Sequence, residues 1–93
     1  MQTTEPDFKK VLGSRVLRLR HSAGMTQSAL SERCGIYRTY LSRIEAGAAN
    51  PTIMVVAALA ASLHVPISEL FLKFDDSQSV DAPAQGGAEE GGV

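Results

Sequence analysis

The residues best placed to do chemistry in this chain are Arg38, Thr39, Ser42 and Arg43. Spacings of three, four and five on a helix mean a shared or adjoining face, so these side chains stand together as a basic, hydrogen-bonding front. Leu41 and Ile44 fall on the opposite side. A helix with an apolar back and such a front meets polar edges and anions, and it suits a DNA groove. The chain lacks the groups that catalysis needs: it has no Ser/His/Asp or Cys/His set, no phosphate-binding glycine loop and no paired carboxylates in its folded part. Cys34 is the single cysteine, and with only His21 and His64 to assist it cannot build a metal site or an internal disulfide. No enzyme activity, cofactor or metal is expected, and Cys34 reads as a small buried residue.

The front must be positioned by the segment from Gln27 to Gly47, which reads as two short helices joined by a tight turn at Gly35. Ala29, Leu30 and Cys34 supply apolar or small positions on the first of them. Thr26 is a good N-cap, and Gly35 stops the helix because the turn needs positive φ. The next helix starts near Tyr37 and ends by Gly47. Upstream, Phe8, Leu12, Val16 and Leu19 recur at spacings of four and three, which predicts an amphipathic helix from Asp7 to Ala23, ended by Gly24. Downstream, Asn50-Pro51-Thr52 joins a turn to a helix start, with either Asn50 or Thr52 as the cap, and the fourth helix reaches Leu63 or His64. Val65-Pro66-Ile67 breaks it, and a fifth helix runs from about Pro66 or Ile67 to Leu72. No strand alternation and no repeat is present, so the class is all-α. Met25, Met54, Ile36 and Ala29 read as core, and His21 and His64 as helix-end residues.

The 93 residues allow one domain, whose thin core hides only about 60% of the surface of the unfolded chain. The expected organisation is an arm over residues 1–8, a domain over 9–74 and a tail over 75–93. The tail is rich in Gly, Ala, Asp and Glu with almost no large apolar residue, so burial cannot offset its ordering entropy. It reads as a disordered acidic, solubilising extension. The net charge of −1 conceals segregation: residues 9–73 hold all nine Lys and Arg against three Glu, a balance of plus six. The folded part is therefore basic. The N-terminus has no apolar run, and the longest apolar stretch, Ile53 to Leu63, is well short of the roughly 20 residues that span a bilayer. A soluble, cytoplasmic protein with no membrane partner is expected.

Leu12-Gly13, Arg15-Val16, Leu19-Arg20, Gly24-Met25-Thr26-Gln27, Leu30, Gly35-Ile36, Tyr40-Leu41-Ser42, Ile44-Glu45, Gly47, Asn50-Pro51-Thr52 and Leu59-Ala60 to Leu63 stand in an order that resembles the phage-repressor and Cro type of helix-turn-helix domain, the xenobiotic-response-element family. The likeness covers about residues 9–72. Within that family the Arg-Thr-Tyr-Leu-Ser run at 38–42 most resembles the controller proteins of restriction-modification systems. The resemblance implies a compact five-helix, lambda-repressor-like domain that places the helix beginning near Tyr37 in the major groove of double-stranded DNA, from a twofold dimer. The first turns of such a helix reach base edges. Arg38 can donate two hydrogen bonds to guanine, worth about 1–3 kcal/mol of discrimination, and Thr39 offers a hydroxyl and a methyl that suits thymine. Tyr40 either packs against the preceding helix or touches phosphate or thymine. Ser42 and Arg43 come nearer the phosphates, with a base also in reach of Arg43.

By the same resemblance Gln27 anchors the domain on phosphate and braces Arg38. Arg20 and Glu45 form an ion pair that fixes two helices and turns Arg20 toward phosphate. Asn50 either binds phosphate or serves the turn before Pro51. Lys9, Lys10 and Arg18 form a basic face that is either solvated or adds salt-dependent affinity. The second helix has Ser28-Ala29 where the family often carries acids, and Tyr37 stands where a small N-cap is common.

The helix from Ile53 to Leu63 is apolar almost all round, whereas a surface helix of a monomer carries a polar stripe. A twofold interface from Met54, Val55, Ile67, Leu70, Phe71 and Phe74 accounts for this and sets two recognition helices roughly 34 Å apart. The competing account is one crowded core with exposed alanines. The function expected is a homodimeric transcription regulator on a near-palindromic operator, with RNA polymerase a further candidate partner and a restriction-modification operon the system implied by the narrower resemblance. The alternative is an antitoxin or other interaction module whose main partner is a protein.

Overall fold

Short side chains with a free oxygen start most of the helices. The computed structural model describes residues 7–72, in which α1 (Phe8–Ser22), α2 (Gln27–Cys34), α3 (Arg38–Glu45) and α4 (Ile53–Ser62) are followed by a 3-10 helix, Ile67–Phe71. Free first-turn N–H groups need acceptors. Asp7 accepts from the Lys10 N–H at 3.3 Å, Thr26 from Ala29 at 3.0 Å and Thr52 from Val55 at 3.3 Å. Thr52, not Asn50, is thus the cap of α4. Gly24 and Gly35 end α1 and α2 at φ of 71° and 72°, a region in which a Cβ is disfavoured. His64 takes the same left-handed position after α4, at φ 60°.

The core is built from Leu12 and Val16 of α1, Leu30 of α2, Leu41 and Ile44 of α3, Val56, Leu59 and Ala60 of α4, and the flanking Ala49, Leu63 and Leu70. Packing follows from these faces: α1 lies on α3 and on the 3-10 helix, while α2 lies on α3 and α4. Half-buried Cys34 fits between α2 and α4, its Sγ 3.4 Å from the Ser62 hydroxyl. Met25, Ile36, Val55 and Tyr40 are partly buried against the core. Two residues of the apolar pattern lie elsewhere. Phe8, the first residue of α1, is 60% exposed, and Met54 of α4 is 74% exposed. Met54 is therefore not a core residue.

The fifth helix expected is present, in the 3-10 form. It is a single tight 3-10 stretch, held to α1 by Arg15, whose Nε donates to the Glu69 carbonyl at 3.0 Å and whose Nη2 donates to its carboxylate at 2.8 Å. Leu70 is fully buried beneath it. A residue with no exposed surface cannot line an interface, so its assignment to a dimer surface is corrected to the core. No strand occurs among the described residues, and no helix among them is long and apolar enough to cross a membrane. The expected arm over 1–8 lies almost wholly, and the tail over 75–93 and Phe74 entirely, outside the described residues.

Candidate nucleic-acid interface

The turn between α2 and α3 is short because Gly35 bends it: the Gly35 N–H returns to the Glu32 carbonyl at 3.3 Å and the Ile36 N–H to Ser31 at 3.0 Å. Leu41 and Ile44 are then driven inward, at 0% and 1% exposure. What remains outside α3 is Arg38, Thr39 and Arg43, all exposed, with Ser42 half-buried beside them. The front expected from helical spacing is thus brought together. Tyr40 is half-buried against the core, with part of its side chain on the same side as the front.

Behind this face lies a hydrogen-bonded chain from the interior to the surface. Arg20 donates from Nε to Glu45 Oε2 at 2.7 Å, from Nη2 to Glu45 Oε1 at 2.9 Å and from Nη1 to the Met25 carbonyl at 2.9 Å. The two side chains are only 9% and 4% exposed. The hydrogen bond to Glu45 raises the Arg20 pKa above its ordinary value; burial opposes that shift and Coulombic attraction adds to it, and the guanidinium stays charged. Gln27 donates from Nε2 to Glu45 Oε1 at 2.9 Å, which leaves its Oε1 to accept from Arg38 Nη1 at 3.4 Å. The last link is long and exposed, and so weak. It steers Arg38 without tying it down.

The Arg20–Glu45 ion pair expected from the resemblance is present, Gln27 stands within 3.4 Å of Arg38, and Arg20 has little exposed surface. Three of the five guanidinium N–H groups of Arg20 are engaged and 7% of the residue is accessible, so it ties α1 to the end of α3. Arg43 reaches away from the first turn, its Nη2 donating to the Ala48 carbonyl at 2.9 Å, and Asn50 is exposed just beyond. The bond from Gln27 to Glu45 was not legible beforehand, because nothing in the spacing of residues 27 and 45 signals that their helix ends meet.

The apolar surface lies on the other elements. Ile53, Met54, Ile67, Phe71 and Leu72 are 62%, 74%, 37%, 39% and 51% exposed, while Val55 is half-buried. Phe8, Ile53 and Phe71 border an open groove of about 240 Å³ whose floor includes Leu12 and Val56. Ile53 and Leu72 are additions to the expected surface. The signal for Ile53 was its place as the first residue of an all-apolar helix.

Comparison with known proteins agrees with this construction. A helix-turn-helix family model matches residues 16–70. An uncharacterized HTH-type transcriptional regulator of Sinorhizobium fredii is 38% identical over 71 residues, which are 76% of this chain and 92% of that one. The restriction-modification controller protein C.AhdI from Aeromonas hydrophila has a similar structure, with a TM-score of 0.66 and 30% identity over 68% of this chain and 96% of its own. The biofilm regulator SinR, solved in complex with DNA, gives a TM-score of 0.61 and 33% identity over 63% of this chain and 95% of its own. The family match over residues 16–70 and the relative 38% identical over 76% of the chain make this chain a member of the helix-turn-helix family of DNA-binding transcriptional regulators.

Proposed function

We propose that the protein reads an operator of approximate twofold symmetry as a homodimer and regulates transcription there. Its likeness to a restriction-modification controller protein supports an operon of that kind as its target. The observation that carries the DNA reading is the exposure of Arg38 and Thr39 on the first turn of α3, backed by Gln27 and by a buried helix face. Arg38 meets guanine and Thr39 meets thymine, while Gln27, Ser42, Arg43 and Asn50 lie toward the phosphates. RNA polymerase is the third macromolecule in this reading, touched by an activator and excluded by a repressor.

The test is selection of bound duplexes from random DNA, followed by Arg38→Ala. Loss of one bidentate base contact is expected to weaken the selected site by about 1–3 kcal/mol and to relax specificity at one position of each half-site, with a much smaller loss on random DNA. Equal losses on both duplexes would remove Arg38 from base reading.

Support for the second copy comes from the exposed Met54, Ile53, Ile67 and Phe71, an apolar surface that a monomer gains nothing by keeping open. Met54→Asp is expected to leave the monomer folded, since the side chain is 74% exposed, and to shift sedimentation equilibrium from dimer toward monomer. Operator affinity should fall with it. A variant that stays dimeric would move the interface off α4.

A further inference from the structure

We propose that Tyr37 is a DNA-backbone contact whose hydroxyl donates to a phosphate beside the base-reading turn, an inference that rests on the DNA reading above. Tyr37 is 84% exposed, the most open of the large exposed hydrophobic residues described. It is also the N-cap of α3 and makes no side-chain cap hydrogen bond. The other three α-helices are each capped by an aspartate or threonine oxygen. A phenol carries its oxygen at the far end of a rigid ring, out of reach of the N–H groups that a serine or threonine hydroxyl satisfies from the same position. Tyr37 therefore neither caps its helix nor packs in the core. A residue that forgoes both local roles is expected where function sets the choice.

Its position says which function. Tyr37 directly precedes Arg38 and Thr39, at the N-terminal end of α3, which the DNA reading turns toward the groove. Base edges are reached from the first helical turn, whereas side chains flanking that turn meet the sugar-phosphate walls, and tyrosine hydroxyls are among the groups that do so. The ring has only two torsions to order, so fixing it against a sugar costs little entropy. A phosphate contact carries no sequence information. Tyr37 thus contributes affinity to every duplex, and Arg38 contributes discrimination.

Tyr37→Ser and Tyr37→Phe in the full chain test this, with urea unfolding and binding to both a selected and a random-sequence duplex as readouts. Tyr37→Ser supplies the missing cap and is expected to raise the unfolding midpoint while weakening both duplexes about tenfold, the loss of one hydrogen bond to a charged group. Tyr37→Phe should leave the midpoint in place and weaken both duplexes similarly. Wild-type affinity in Tyr37→Phe would overturn the hydroxyl contact, and a loss confined to the selected duplex would overturn the phosphate assignment. A lowered midpoint in Tyr37→Ser would make the ring structural and also overturn the proposal. Failure of the wild-type chain to bind any duplex would instead strike the DNA reading itself, and it is measured separately.

Discussion

Glu45→Ala is expected to destabilise the domain by about 3–5 kcal/mol, the range for removing one partner of a buried ion pair. Glu45 accepts two hydrogen bonds from Arg20 and one from Gln27, and its side chain is only 4% exposed. Truncation strands the Arg20 guanidinium, itself 9% exposed, in an interior where water reaches it poorly. A small domain has about 5–15 kcal/mol of total stability, so a loss of this size removes much of it. Urea denaturation should show the midpoint collapse in Glu45→Ala, and a smaller drop in Glu45→Gln, which keeps one oxygen acceptor. Replacing both partners together, Arg20→Met with Glu45→Leu, should recover most of the loss, because no charge is then left uncompensated. A Glu45→Ala midpoint within about 0.5 kcal/mol of wild type, typical of a surface site, would refute the buried network.

Gly13→Ala is the second large effect expected, about 2 kcal/mol of net destabilisation. Gly13 lies inside α1, where alanine is ordinarily favoured over glycine by roughly 0.5–1 kcal/mol. Here a Cβ would overlap the carbonyl oxygen of Ile44 and stand 2.8 Å from that of Glu45. Those atoms are backbone and cannot swing aside, so α1 and α3 must separate at the cost of overpacking, about 1–3 kcal/mol and at the upper end for a rigid obstacle. The clash exceeds the propensity gain. Thermal and urea unfolding should both report the loss, and DNA affinity should fall as α3 shifts on α1. An unchanged or raised melting temperature would mean that the two helices do not approach as closely as Gly13 allows.

These two sites also mark the limit of what spacing can tell. Thr26 as a cap, Gly35 as a left-handed stop and the apolar pairing of Leu41 with Ile44 depend on neighbours a few residues away, and each is found where its local chemistry placed it. Arg20 with Glu45 came from resemblance to a family, not from the residues themselves, and the expected partial burial is close to complete at 9% and 4% exposure. Arg15 with Glu69, 54 residues apart, was not foreseen at all. Phe8 and Met54 carry the same apolar label as Leu12 and Val56, yet they are exposed. Hydrophobic periodicity states which face prefers to be covered, not whether another element reaches it.

By itself, then, the chain's sequence determined an all-helical fold with its caps, stops and basic α3 front, because those follow from torsional preference and from hydrogen bonds made within one or two turns. Only the tertiary structure decided that Arg20 is interior, that Leu70 is core, that Gln27 links the buried pair to Arg38, and that Tyr37 stands open beside it. Each of those depends on where segments remote in sequence come to rest, and close packing of the whole core settles that position.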